Sequence, residues 1–147
     1  MRIGSRRARE ASAEAGKRIE RPHLLGAIRE AVEGARRGRR IAAVLMLCLK
    51  PKDRLNLLTQ DRAQERLEAA LGRLPKLLRP ADLYCMVSLG QVCVVLPDLS
   101  NSAQALLAAY KLSREMYDAT SDVPGDSWVR ALIGIACFPD QADDAAS

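Results

Sequence analysis

An α/β (α+β) fold with a ferredoxin-like βαββαβ core follows from three features of this 147-residue chain. Strand-length apolar runs and helical periodicities alternate as helix, strand, helix, strand, strand, helix, strand. Two of the runs, 83–87 and 91–96, are separated only by a short turn at Leu89-Gly90, which reads as a hairpin. No segment repeats, which excludes a solenoid. The order implies a mixed, mainly antiparallel sheet with helices packed around it, on one face.

Residues 1–21 are rich in Arg, Ala, Glu and Ser and poor in large apolar residues, so they read as a basic, flexible tail. Pro22 suits a first helical turn. Leu24, Leu25, Ile28 and Val32 then recur at near-helical spacing up to about Gly38, where Arg36, Arg37, Arg39 and Arg40 cluster at the favourable end of the helix dipole. The run 41–49 is apolar on both faces and reads as a central strand, stopped by Pro51. Thr59 is a candidate N-cap for a second helix, with Leu67, Ala70, Leu71 and Leu74 on its inner face and Gly72 and Pro75 fraying its end. After the hairpin, Ser100-Asn101-Ser102 offers caps for a third helix, whose predicted inner face is Ala103, Leu106, Leu107 and Tyr110. Residues 121–127 read as a polar loop and 128–138 as the last strand, stopped by Pro139. The expected domain is therefore 22–139, with 140–147 a C-terminal tail.

Composition narrows function more than it names it. Hydrophobic residues make up 48% of the chain, enough for a core, but aromatics only 3%, so that core is aliphatic. No apolar run reaches the roughly 18 residues that a bilayer span needs, and the basic N-terminus has no apolar stretch of a secretory signal behind it. A cytoplasmic location is the expectation. Cys48, Cys85, Cys93 and Cys137 each fall in an apolar strand without metal-type spacing, and read as buried free thiols. His23 is the only histidine, so neither a His-based zinc site nor a Ser-His-Asp triad has sequence support. The net charge of +5 draws anions. Nucleic acid is disfavoured as the partner, because Val44 to Leu49 and Gln91 to Leu96 carry none of the stacking aromatics of RNA-recognition modules.

Several segments in one order carry a family resemblance. Cys48-Leu49-Lys50-Pro51-Lys52-Asp53-Arg54-Leu55-Asn56 is followed by Glu65, then by Arg79-Pro80-Ala81-Asp82. Ser88-Leu89-Gly90-Gln91-Val92 comes next, and Ala131-Leu132-Ile133-Gly134-Ile135-Ala136-Cys137-Phe138-Pro139 closes the series. The set resembles the GGDEF domains of diguanylate cyclases over about Leu24 to Pro139.

In that family a metal-assisted reaction joins two GTP molecules into cyclic di-GMP. The resemblance places Cys48 and Gly90 where the family has metal-binding carboxylates, Gln91 where it has Glu, and Asp53 where it has a phosphate-binding Lys. Ser88 and Leu89 replace the two glycines that let substrate approach the backbone. These changes imply no enzyme activity, no magnesium and no other cofactor. Arg79 and Asp82 match the family's product-binding Arg-x-x-Asp motif, in which Arg forks onto phosphate or guanine and Asp accepts from guanine N–H groups. Arg36, Arg37 or Arg114 is expected to supply a second cation. Asn56 and Glu65 stand as vestigial guanine contacts.

The segment Arg18-Ile19-Glu20-Arg21-Pro22 departs from the family's N-terminal pattern, and the family's final helix has no counterpart before Ser147. Part of the sheet is expected to be uncovered or covered by a partner chain. The implied role is a cyclic di-GMP receptor that signals to a protein partner or homodimer. The alternative is a nucleotide-independent interaction or dimerisation module on the same fold.

Overall fold

In the computed structural model, which describes residues 16–51, 68–88, 90–123, 126–127 and 129–139, β2 (Ile41–Pro51) is the middle of the molecule. It pairs antiparallel with β4 (Gln91–Leu99) on one side and with β7 (Val129–Phe138) on the other. β3 (Leu83–Ser88) pairs antiparallel with β4. β1 (Lys17–Arg18) then adds in parallel to β3, so the five-stranded sheet runs β1-β3-β4-β2-β7. β2 and β3 are thus parallel with β4 between them, and β4 and β7 are parallel with β2 between them. Two interleaved split βαβ units give the expected ferredoxin-like order.

The alternation of β2 builds two cores. Ala43, Leu45, Leu47 and Leu49 face one layer with Val92, Val94 and Leu96 of β4. That layer is covered by the helical residues 68–72, by α2 (Leu74–Leu77) and by α3 (Ser102–Thr120). Ala42 and Val95 point the other way, beneath α1 (Arg21–Gly38). The crossover helices therefore share one face as expected, and α1, which precedes the βαββαβ unit, takes the opposite one.

α1 carries Pro22 in its first turn and Arg36 and Arg37 in its last. Its inner stripe is Leu24, Ile28, Ala31 and Ala35, whereas Leu25, expected inside, is 59% exposed. Alanines let the helix lie close to the sheet, which shifts the buried face away from Leu25. α3 differs more. Asn101 Oδ1 accepts the Gln104 N–H at 3.1 Å and Gln104 Oε1 accepts the Ser100 N–H at 2.7 Å, a reciprocal cap at the predicted start. Its buried residues, however, are Ala105, Ala109, Leu112 and Met116, while the predicted inner face of Ala103, Leu106, Leu107 and Tyr110 points outward.

Two further differences concern segments read as irregular. Lys17–Arg18, placed by sequence in the tail 1–21, is a strand: Lys17 N–H donates to Asp82 O at 3.1 Å and Ile19 N–H to Tyr84 O at 2.9 Å. The loop 121–127 contains a small antiparallel pair, β5 (Ser121–Val123) with β6 (Asp126–Ser127). The four cysteines are free thiols; Cys85 and Cys93 are buried and Cys48 and Cys137 half-buried. Among the described residues no helix is long and apolar enough to cross a membrane.

Candidate ligand site at the Arg79–Asp82 turn

The turn entering β3 is built by its own sequence. Pro80 presets the backbone after Arg79, and the Asp82 N–H closes the turn on Arg79 O at 2.9 Å. The Asp82 carboxylate then gathers its donors locally. The Arg79 N–H reaches Oδ2 at 2.7 Å, Arg79 Nε lies 3.0 and 3.2 Å from Oδ1 and Oδ2, and Nη2 donates to Oδ1 at 2.7 Å. Arg79 Nη2 also donates to Pro97 O at 2.6 Å, tying the turn to the end of β4. Gly16 passes so close beneath that a Cβ there would meet Leu78 Cβ at 2.6 Å.

Burial divides the pair. The Asp82 side chain is 3% exposed and that of Arg79 46%. A buried carboxylate is tolerable only because it is paired and hydrogen-bonded. Both of its oxygens are engaged within the turn, so the guanine-accepting role that the resemblance assigns to Asp82 has no free oxygen edge in this structure. Arg79 is different: Nε and Nη2 are held, and Nη1 has no protein acceptor among the described residues.

Arg79 lines a groove of about 250 Å³ together with Leu78, Leu96 and Leu99 and with Leu107 and Lys111 of α3. The structure therefore brings Arg79 and Lys111 to one groove. Lys111 was missed in the sequence because nothing local links it to residues some thirty positions earlier. The three arginines expected to assist do not line this groove. Arg36 and Arg37 end α1, the helix on the opposite face of the sheet, and Arg114 is exposed on α3. Asn56, Glu65 and Asp53 lie outside the described residues. A second groove, about 320 Å³ beneath α1, is lined by small residues with the carboxylates of Glu30 and Asp98. Asp98 is already held by Arg40 at 2.8 Å. With carboxylates and no cation in its lining, it suits phosphate poorly.

The solved structures that the chain resembles include several GGDEF domains. A sensory box/GGDEF family protein from Caulobacter crescentus superposes with a TM-score of 0.68 at 18% identity, over 83% of this chain and 80% of that one. The GGDEF domain of YfiN (TpbB) from Pseudomonas aeruginosa gives 0.65 at 22% identity, over 82% and 76%. The coiled coil and GGDEF domain of DgcB from Caulobacter crescentus, in complex with c-di-GMP, gives 0.64 at 9% identity, over 92% and 74%. The fold is that of GGDEF domains. No family model matches the chain, and no curated protein does.

The hairpin between β3 and β4, where the resemblance sets the family's signature, brings Ser88 opposite Gln91. The Ser88 hydroxyl donates to Gln91 Oε1 at 2.7 Å, so these two side chains satisfy one another. Gly90 has φ +78° and is buried; Leu49 N–H donates to its carbonyl at 2.7 Å. A Cβ at position 90 would stand 2.9 Å from Leu49 O. A side chain there would be strained and would have to displace the backbone at Leu49. Cys48, which pairs with Gln91 across the strands, offers a soft thiol. Magnesium takes hard oxygen ligands, so Cys48, Gly90 and Gln91 do not fit it. Among the described residues no group of three His, Cys, Asp or Glu side chains converges on a metal position.

Proposed function

We propose that this chain is a catalytically silent GGDEF-like domain that binds cyclic di-GMP at the Arg79 groove and passes its occupancy to a protein partner. One observation carries the reading: the Arg79 guanidinium is fixed by Asp82 and Pro97, and Arg79 lines a groove together with Lys111. A pre-oriented guanidinium loses little freedom on meeting a phosphate or a guanine edge. Lys111 supplies a second positive charge for a ligand with two phosphates, and the leucine floor suits the faces of its bases. Arg79 is then the contact residue and Asp82 the positioning residue. The loss of turnover is supported by the donor set at the signature turn, where thiol, glycine and amide stand in place of carboxylates. GTP has no counter-ion holder there, and loss of even one such contact costs about 2.7–4 kcal/mol of transition-state stabilisation.

Calorimetric titration of cyclic di-GMP into the purified chain tests this. Micromolar binding is expected, weakened at least about tenfold in Arg79→Ala and several-fold in Lys111→Ala. Asp82→Asn keeps the shape but drops the charge that orients Arg79, so it weakens binding too; thermal melts show whether each variant is folded. No heat from the native chain would leave the pair as turn chemistry. The second reading, a nucleotide-independent interaction module, would then stand. It is favoured by the exposed apolar face of α3.

A further inference from the structure

Three sulfur side chains stand in one row across the sheet. Cys85 of β3 is directly opposite Cys93 of β4, and Cys93 is directly opposite Met46 of β2. All three lie on the α1 face. Tyr84 and Met86 pack into the core of the other face, so Cys85 between them points toward α1. Val95, two residues after Cys93, is in the core beneath α1, while Leu45 and Leu47 on either side of Met46 face away from it. Cys85 and Cys93 are 0% and 2% exposed, whereas Met46 is 37% exposed and opens the row to solvent.

The backbone sets the spacing of the two thiols. Lys17 N–H donates to Asp82 O and Ile19 N–H to Tyr84 O, so the carbonyls of residues 82 and 84 face β1. The polar groups of Cys85, on the alternate edge, then face β4. Cys85 and Cys93 are thus a hydrogen-bonded pair, with Cα atoms about 5.5 Å apart and Cβ atoms at the wide end of the cross-strand range. A disulfide needs Cβ atoms about 3.8 Å apart. An ion between the two sulfurs, about 2.3 Å from each, spans the wider gap without moving the strands. As a thiol, Cys85 donates to Met86 O over a long 3.6 Å. A thiolate has no proton for that carbonyl and turns from it.

We infer that Cys85, Cys93 and Met46 form a binding site for a soft monovalent cation of the copper(I) class, with two thiolates and one thioether as ligands. Sulfur donors select Cu(I) among the biological metals. Structural zinc takes four ligands. The nearest further thiol on this face, Cys48, sits opposite Gln91, diagonal to Cys93 at about 7–8 Å. Loading is a proton exchange with no redox change: each thiol gives its proton to solvent, each sulfur bonds the ion, and the ion stays copper(I). The loaded site carries one net negative charge. Arg21, whose Nη1 donates to Val87 O at 3.4 Å, two residues beyond Cys85, is the cation placed to offset it. The flexible Met46 side chain admits the ion and closes its thioether over it. This face is opposite the Arg79 groove, which belongs to the core layer of Leu78, Leu96 and Leu99, so the site does not rest on the messenger reading.

The test titrates copper(I) into the full chain, reduced and under nitrogen, against bicinchoninate as a competing chelator. The chain is expected to hold one ion, with a thiolate-to-copper charge-transfer band in the ultraviolet and a raised melting temperature. Removal of supporting residues around a metal costs 10–100-fold in affinity, so loss of a thiolate in Cys85→Ala or Cys93→Ala is expected to cost more than about a hundredfold, and Met46→Leu about tenfold. Cys48→Ala with Cys137→Ala leaves retention unchanged. Arg79→Ala does too, so failure of this site and failure of messenger binding are read separately. Copper-edge X-ray absorption of the native chain, which needs no variant to fold, is expected to show three sulfur neighbours and no others. Loss of the ion to the chelator, or nitrogen or oxygen neighbours at the copper edge, overturns the inference. So does retention in a chain carrying both Cys85→Ala and Cys93→Ala, or release in the Cys48, Cys137 variant.

Discussion

Asp82 is the one charged side chain buried among the described residues, and Arg79 is what makes that burial tolerable. The pair was visible in the sequence as two residues three apart. The division of labour inside it was not, because filling both carboxylate oxygens depends on the turn geometry and on Pro97 at the far end of β4. Gly90 is the opposite case. Its place in a tight turn was legible from its neighbours, and its φ of +78° follows from that turn. Gly90→Ala is expected to cost about 1–3 kcal/mol, because it adds a left-handed backbone penalty to a Cβ that would meet Leu49 O at 2.9 Å. Guanidinium-chloride unfolding of the variant against the parent chain checks this, and a cost below about half a kcal/mol would mean that the turn relaxes.

At the scale of elements, strands were easier to read than helix faces. An apolar run such as 41–49 has buried residues on both sides, so no face had to be chosen. α3 offered two apolar stripes, and local periodicity could not say which one met the sheet. Packing selected the alanine-lined stripe because Ala105 and Ala109 allow a close approach, and Leu112 and Met116 fill the space beyond. The β3–β4 hairpin carries a pH-dependent term of its own. Cys93 lies directly across from Cys85, and burial, then the charge of Cys85, push its thiol above the ordinary value. The unfolded chain releases that proton first, at about pH 8.5. The stability from keeping Cys93 protonated is thus complete below the unfolded thiol's pKa and is lost as pH rises through and beyond it. Denaturant midpoints should fall less steeply above about pH 8.5 in Cys93→Ala than in the parent chain. Parallel curves would show that Cys93 contributes nothing to the alkaline limb.

For the whole molecule, the fold carries no guarantee of the chemistry found elsewhere on it. Incubation with GTP and magnesium is expected to yield no cyclic di-GMP by chromatography, and Gly90→Asp alone is expected not to restore it. Cys48 would still present a thiol, and the new side chain would be strained and would have to displace the backbone at Leu49. Accumulation of product in either case would overturn the assignment of a silent domain.

The sequence by itself determined the strand and helix order, the hairpin turn and the Arg79–Asp82 pair. All of these are written in residues within a few positions of one another, where side-chain spacing and backbone sterics decide. Only the tertiary structure decided that Lys111 joins Arg79 at one groove, that Lys17–Arg18 extends the sheet, and that Leu106, Leu107 and Tyr110 face outward. Those outcomes depend on which distant surfaces pack together. That is settled by the summed volume and polarity of both partners, which no single stretch of the chain contains.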